Sequence, residues 1–280
     1  MRTIGSEEIT RVVSELCLEI NFNLSAEVLN AISRAQKGEE SLPGKEALQQ
    51  LLENARLAGE NRVPLCQDTG LCVVFIEIGQ EVVVQGDELH TAVNRGVAEA
   101  YQKGYLRKSV VKNPLTRENT GDNTPAVLHV NMVKGTGVKI TVAAKGGGSE
   151  NMSALKMLPP SAGREGIIDF VVQTVESAGP NPCPPLVIGI GIGGNFETAP
   201  LLAKKALLRA ISMCSSDPVL AGMEEEILNR INRLGIGPQG FGGRVTALSV
   251  SLEAAPCHIA SLPAAVNIDC HCHRHACRTI

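Results

Sequence analysis

The chain has 280 residues, a formal net charge of −3, 44% hydrophobic and 20% charged residues, and only 2% aromatic residues with no Trp. That length buries a sizeable core as one large domain or two small ones. The near-neutral charge gives no reason to expect nucleic acid, the few rings offer little stacking surface for single strands, and no apolar run approaches the roughly 18 residues of a membrane span.

The chain opens with MRTIGSEEITRVV, which puts glutamates where a signal peptide needs a clean apolar stretch, so a cytoplasmic protein is expected. Ser6, Glu7 and Glu8 read as the cap of a helix whose stripe is Ile9, Val12, Val13, Leu16 and Ile20. A second helix starts at Ser25 and runs through Leu29 and Ile32, and KEALQQLLENARLAG is a third, ended by Gly59. Residues 1–60 thus read as a helical N-terminal part and residues 61–280 as an α/β part. LCVVFIEIG is a strand and DELHTAVNRGVAEAYQKG a helix, while AVLHVNMV and VKITVAA are strands whose Lys-Gly-Thr-Gly link suggests a hairpin turn. EGIIDFVVQTVESAG is helical, and PLVIGIGIGG has the near-continuous apolar run of a strand buried on both faces. FETAPLLAKKALLRAI and AGMEEEILNRINRLG are helices, the run 237–243 is a glycine loop, and RVTALSVSLEAAP and PAAVNIDC are strands. The predicted class is α/β, with N-terminal helices followed by mixed, mainly parallel sheets covered by helices.

Nine cysteines, an odd number, fit a disulfide framework poorly in a reducing compartment. Cys17, in a helical stripe, reads as core packing, and Cys214, at the end of a helix, reads as inert. Three others stand at strand junctions: Cys66 in RVPLCQDTG, Cys183 between prolines in GPNPCPPLVIG, and Cys270 at the end of SLPAAVNIDC. Prolines and buried strands can pre-position such thiols, but they lack the paired local spacing of a zinc ribbon, and three unrelated core cysteines account for the pattern equally well. The run DCHCHRHAC adds Cys272, Cys277, His271, His273 and His275, which reads as zinc, nickel or copper binding or as a solvated tail. AAKGGGSENM can cradle an anion on backbone N–H groups but lacks the ending of a P-loop. Gly189, Gly191 and Gly194 match a dinucleotide fingerprint without its acidic partner. Arg117, Asn119 and Asn123 lie in a polar turn that either braces a site or simply faces water.

Taken together, PLCQDTG, LRKS followed by NTGDNTPAVLH, AAKGGGSENMSALKML, CPPLVIGIGIGGNFETA, RLGIGPQGFGG and HIASLPAAVNIDCHCHRHA resemble the class I, iron–sulfur family of fumarate hydratases and L-tartrate dehydratases. The resemblance covers about residues 61–276. It implies a [4Fe-4S] cluster on Cys66, Cys183 and Cys270, with one iron left open as a Lewis acid toward a substrate hydroxyl. It further implies substrate contacts from Gln67, Arg107 and Gly147, and a proton-transfer role for Asp68 and His258. The chain stops where single-chain members continue, so the resemblance is to the α subunit of two-subunit members, with a β subunit supplying the remaining active-site residues in an α2β2 or similar oligomer. The implied reaction is hydration of fumarate to L-malate and its reverse, a step of the tricarboxylic acid cycle. The alternatives are L-tartrate dehydration or a non-catalytic iron–sulfur or zinc-binding subunit. The soft Cys272, His273 and Cys277 beside Cys270 are a departure from simpler family members.

Overall fold

The computed structural model describes residues 1–280. In chain order its elements are β1 (Arg2–Gly5), α1 (Ser6–Phe22), α2 (Ala26–Gly38), α3 (Leu42–Asn61), β2 (Leu71–Gly79), β3 (Val82–Gln85), α4 (Leu89–Lys103), β4 (Val127–Val133), β5 (Val138–Lys145), the single turn α5 (Gly147–Glu150), β6 (Ala154–Leu158), α6 (Gly163–Ala178), β7 (Leu186–Gly194), α7 (Thr198–Ala206), α8 (Pro218–Asn232), β8 (Ala247–Cys257), β9 (Leu262–Asp269) and β10 (Arg274–Thr279). The chain forms two compact units: residues 1–25, 54–147 and 274–280, and residues 26–53 and 148–273.

In the first unit a four-stranded sheet runs β10-β5-β2-β4, with β1 and β3 paired in a separate ribbon. The stripe Ile9, Val12, Val13, Leu16 and Ile20 of α1 is buried against Val74, Ile76, Ile140 and Val142 of the sheet and against Val93, Val97 and Ala100 of α4. Helices α1 and α4 come close because Gly96 has no side chain: a Cβ there would lie 2.6 Å from the Thr10 carbonyl.

The expected hairpin between β4 and β5 does not form. Strand β2 lies between them, parallel to β4 and antiparallel to β5. The glycine-containing link crosses the end of β2, where Gly79 N donates to Gly137 O, Gln80 N to Val133 O and Glu81 N to Gly135 O. The link does reverse the chain, but its backbone bonds go to a third strand. Helix α3 also passes Gly59 without a break and ends at Asn61.

The second unit has a sheet in the order β6-β9-β7-β8. Strand β7 is buried on both faces, as its apolar run predicts. One face carries Ile168, Val171 and Val175 of α6 and Met223, Ile227 and Ile231 of α8; the other packs on Ala199 and Ala203 of α7. Gly189 and Gly191 are explained here without any nucleotide: a Cβ at either would sit 2.1 Å from a carbonyl of α7, at Ala203 and Ala199 respectively. These glycines let a helix backbone lie on the strand.

The mainly parallel sheet is corrected. β7 pairs parallel with β8 but antiparallel with β9; β9 pairs antiparallel with β6, and β10 antiparallel with β5. Burial on both faces identifies a central strand, and an antiparallel neighbour satisfies it equally well. The terminal run is no solvated tail: residues 274–279 form an edge strand, with Cys272, His273 and Arg274 buried. No helix is long and apolar enough to cross a membrane.

Candidate functional site

In the first unit, Cys66, Gln67 and Asp68 occupy the turn that leads into β2. Three successive contacts shape it. The Cys66 thiol donates to Gln67 Oε1 at 3.3 Å, Asp68 N donates to Cys66 Sγ at 3.4 Å, and Gly70 N donates to Asp68 Oδ1 at 3.0 Å. The second carboxylate oxygen, Oδ2, accepts from Gly147 N at 2.8 Å. Asp68 is therefore held at both oxygens by backbone amides, and the glycine loop expected to cradle an anion directs one amide to a carboxylate of the chain itself.

Gly70 is required here by its conformation and its neighbours. Its φ is +76°, and a Cβ would lie 2.7 Å from the Lys145 carbonyl group. The turn is braced from behind by Tyr101, whose buried hydroxyl contacts Thr69 O at 2.7 Å and Gly70 O at 2.9 Å. Burial pushes the Tyr101 phenol well above its ordinary range, and the neighbouring Cys72 and Cys17 thiols add to this, so the group stays a neutral donor. Asn123, also buried, donates to Gly70 O at 3.2 Å and accepts from Ser109 N at 2.6 Å. Thr69 Oγ1 donates to Arg107 O at 3.0 Å, which ties the backbone of Arg107 to the same turn and leaves its guanidinium exposed. Asn119 Nδ2 donates to Lys108 O at 2.9 Å. Of the three polar-turn residues, Asn119 and Asn123 thus brace the 66–70 and 107–109 segments, while Arg117 is exposed in a turn of its own. Sequence reading missed Tyr101, one of only two Tyr in the chain, because a Tyr on a buried helix face reads as ordinary core.

In the second unit, Cys183 follows Pro180 in a tight turn, with its N–H donated to Pro180 O at 3.0 Å and φ at +57°. Cys270 closes β9, and its N–H is donated to Asp269 Oδ1 at 3.2 Å. Asp269 is buried, with Oδ2 2.9 Å from Nδ1 of buried His273 and Oδ1 3.4 Å from Ser149 Oγ. His271, next to Cys270 in the chain, reaches the other cysteine's backbone, its Nδ1 3.1 Å from Cys183 O. His258 is exposed beside a cleft of about 680 Å³ that is also lined by Asn195, Leu202, Lys205 and Cys257. Its Nδ1 accepts from Ala260 N at 3.1 Å, so the neutral ring carries its proton on Nε2.

None of the nine cysteines is in a disulfide. Cys17 and Cys72 form a buried thiol pair with sulfurs 3.6 Å apart, in keeping with a packing role for Cys17. No three Cys, His, Asp or Glu side chains converge as a single-ion site requires. The DCHCHRHAC run is divided among different tasks, with His271 turned to Cys183, His273 to Asp269, and Cys277 exposed on β10. A cubane cluster makes a different demand, since each thiolate takes its own iron. Cys66 in the first unit, and Cys183 and Cys270 in the second, are each half-buried or exposed thiols outside any disulfide, and such thiols are soft ligands of the type iron–sulfur binding uses.

The sequence profile of the fumarate hydratase (Fumerase) family matches residues 10–279. A protein of Methanocaldococcus jannaschii, provisionally named L(+)-tartrate dehydratase subunit alpha, is 45% identical over 98% of each chain. The L(+)-tartrate dehydratase subunits alpha of Escherichia coli K12 and Shigella sonnei are each 32% identical, over 95% of this chain and 89% of theirs.

Proposed function

The chain belongs to the class I fumarate hydratase family as an α subunit of the two-subunit type, and from that premise we propose that it carries the cluster-binding half of a hydro-lyase acting on a hydroxylated C4 dicarboxylate. The observation that carries this reading is the end-to-end match to relatives named as α subunits. L-tartrate is the better-supported substrate, because the relatives at 45% and 32% identity bear that name. The L-malate and fumarate pair, the first expectation from the family resemblance, becomes the second reading and retains the support of the family profile.

Cys66, Cys183 and Cys270 are the proposed thiolate ligands. A cluster with one iron lacking a thiolate supplies Lewis acidity toward a hydroxyl group. The remaining work falls to the protein. Arg107 presents a planar fork to a substrate carboxylate, a bidentate and charge-assisted pairing. Gln67, exposed beside Cys66, offers an amide for a substrate oxygen. Asp68, fixed by the amides of Gly70 and Gly147, holds one orientation next to Cys66 and can take part in proton transfer without a reorganisation cost. While that bond stands, the Gly147 amide orients Asp68, and Gly147 meets substrate through the rest of its backbone. His258 holds a proton at Nε2, where it can donate to a departing oxygen. The other cations a dicarboxylate needs are assigned to the β subunit.

The test is anaerobic preparation of this chain with and without its β subunit, followed by iron and sulfide analysis and turnover of L-tartrate and L-malate. The expected result is a cluster on the α chain, lost in Cys66→Ser, Cys183→Ser and Cys270→Ser, with activity only in the assembled enzyme and a higher kcat/KM for L-tartrate. Full iron and sulfide in Cys183→Ser would remove that ligand from the set. Turnover by the α chain free of any second subunit would end the split-site reading.

A further inference from the structure

Two cysteine-bearing segments of the second unit, the 180–186 turn and the end of β9, are joined by contacts that the proposed chemistry does not require. His271 N donates to Cys183 O at 3.4 Å, and His271 Nδ1 lies 3.1 Å from the same oxygen. A carbonyl can only accept, so in this contact the Nδ1 proton belongs to His271. The next carbonyl along, Pro184 O, is met twice by Gln239, from its backbone N at 2.8 Å and from its side-chain Nε2 at 2.5 Å. Gln239 Nε2 lies 3.2 Å from His271 Nδ1, and since both nitrogens carry protons this is packing and not a hydrogen bond: the two side chains are neighbours, each donating to its own carbonyl of the Cys183–Pro184 backbone.

The backbone at this point needs such support. Cys183 has φ +57° and Gln239 φ +52°, both in the left-handed region that residues with a side chain avoid. Such conformations persist where the surroundings over-determine them. Gly240, next to Gln239, packs against Pro180 at the start of the same turn, where a Cβ would come within 2.4 Å of the Pro180 ring. On the other side Cys270 is fixed by its N–H to Asp269 and by the His273 N–H donated to Cys270 O at 3.1 Å.

We propose that His271 and Gln239 are positioning residues that hold the Cys183 turn against the Cys270 end of β9, so that the two thiols keep a fixed spacing before any cluster is loaded. The proposal rests on the reading of Cys183 and Cys270 as cluster ligands. It assigns a task to the histidine within the Cys/His run, and to the 237–243 loop, that is different from direct metal binding.

The test uses the full chain and four variants: His271→Ala, His271→Asn, Gln239→Ala and Gln239→Glu. Asn can place a donor near the Nδ1 position, and Glu is isosteric with Gln but turns an acceptor toward Pro184 O. Two readouts are taken: amide hydrogen exchange at Cys183 and His271 in the cluster-free chain, and the rate of iron loss to a chelator after anaerobic reconstitution. In His271→Ala, Gln239→Ala and Gln239→Glu, exchange at these amides and iron loss should each rise about tenfold, the factor that loss of one ordinary hydrogen bond produces. His271→Asn should recover most of both, and cooperative thermal melting should be retained in the isosteric Gln239→Glu. Wild-type exchange rates in all four variants overturn the clamp. Faster exchange with wild-type iron loss overturns its role in holding the cluster. A wild-type chain that takes up no iron or sulfide overturns the cluster reading beneath the proposal, while the exchange data still show whether the clamp exists.

Discussion

The turns that carry Cys66 and Cys183 are held by different means. At 66–70 the support comes from buried side chains: Tyr101 of α4 and Asn123 reach the carbonyls of Thr69 and Gly70, and the Asp68 carboxylate collects two backbone amides. At 183 the backbone is a left-handed cysteine followed by prolines, and its support comes from outside the turn, where His271 and Gln239 cap the carbonyls of Cys183 and Pro184. The difference predicts how each fails. The first turn is embedded in the core of its unit, so its loss should register as global stability. The second is a local arrangement, so its loss should register first as local opening and weaker ligand holding.

The largest stability effect should come from Gly70→Ala. The new Cβ would meet the Lys145 backbone at 2.7 Å while the residue sits at φ +76°. Backbone strain and overpacking together should cost about 3 kcal/mol or more, read as a lower denaturant midpoint at unchanged slope. A loss below about 1 kcal/mol would mean that the turn relaxes, and that it resembles the Cys183 turn more than the contrast allows.

A second effect sharpens the other side. The loop that carries Gln239 is pinned beyond its end by Glu39, which is buried and accepts from the backbone N–H groups of Glu40, Ser41, Arg244 and Val245. Burial pushes the Glu39 carboxyl up, but these amides outweigh it and hold the carboxyl below its ordinary value near 4.5. A lowered folded pKa contributes stability above the unfolded value, and this is lost as pH falls below it. Glu39→Gln keeps one acceptor but turns an NH2 toward amides that donate, so a loss of about 2 kcal/mol is expected at neutral pH. The gap between wild type and variant should narrow as pH drops below about 4.5. A gap that stays constant from pH 7 to 3 would remove the ionised carboxylate from the explanation.

The parts of this arrangement legible in the sequence are those that follow local periodicity. The stripe of α1, the apolar run of β7, and α4, α6 and α8 all appear where their patterns put them. What was not legible is pairing. The four-residue link 134–137 looks like a hairpin because a hairpin turn and a crossing over the end of β2 use the same residues; only the identity of the partner strand separates them, and that is set more than 50 residues away. β10 was hidden because Cys, His and Arg on an edge strand have no strand-like alternation, and its partner β5 lies far back in the chain. In the site, Cys66, Asp68 and the glycine loop were visible as motifs, but the Asp68–Gly147 bond spans 79 positions and Tyr101 gives no sign in the sequence of which turn it will reach. Gln239 was hidden in a loop that read only as glycine-rich.

The smallest stability effect should be that of Tyr101→Phe, and the hydrogen-bond inventory says why. The hydroxyl has a single proton shared between two carbonyls, and one of them, Gly70 O, keeps its bond from Asn123 when the hydroxyl is removed. Only Thr69 O loses its side-chain donor, so the expected cost at pH 7 is about 1 kcal/mol. The pH dependence separates this from simple loss of packing. Burial, with the Cys72 and Cys17 thiols beside it, pushes the Tyr101 pKa above its ordinary value of 10.0. A raised folded pKa gives stability that is fully present below the unfolded value and lost as pH rises above it. Wild type should therefore weaken above pH about 10 more steeply than Tyr101→Phe, and the difference between them should shrink there. Parallel stability curves from pH 7 to 11 would show that the hydroxyl is not buried as a neutral donor, and with that the side-chain support assigned to the Cys66 turn would fail.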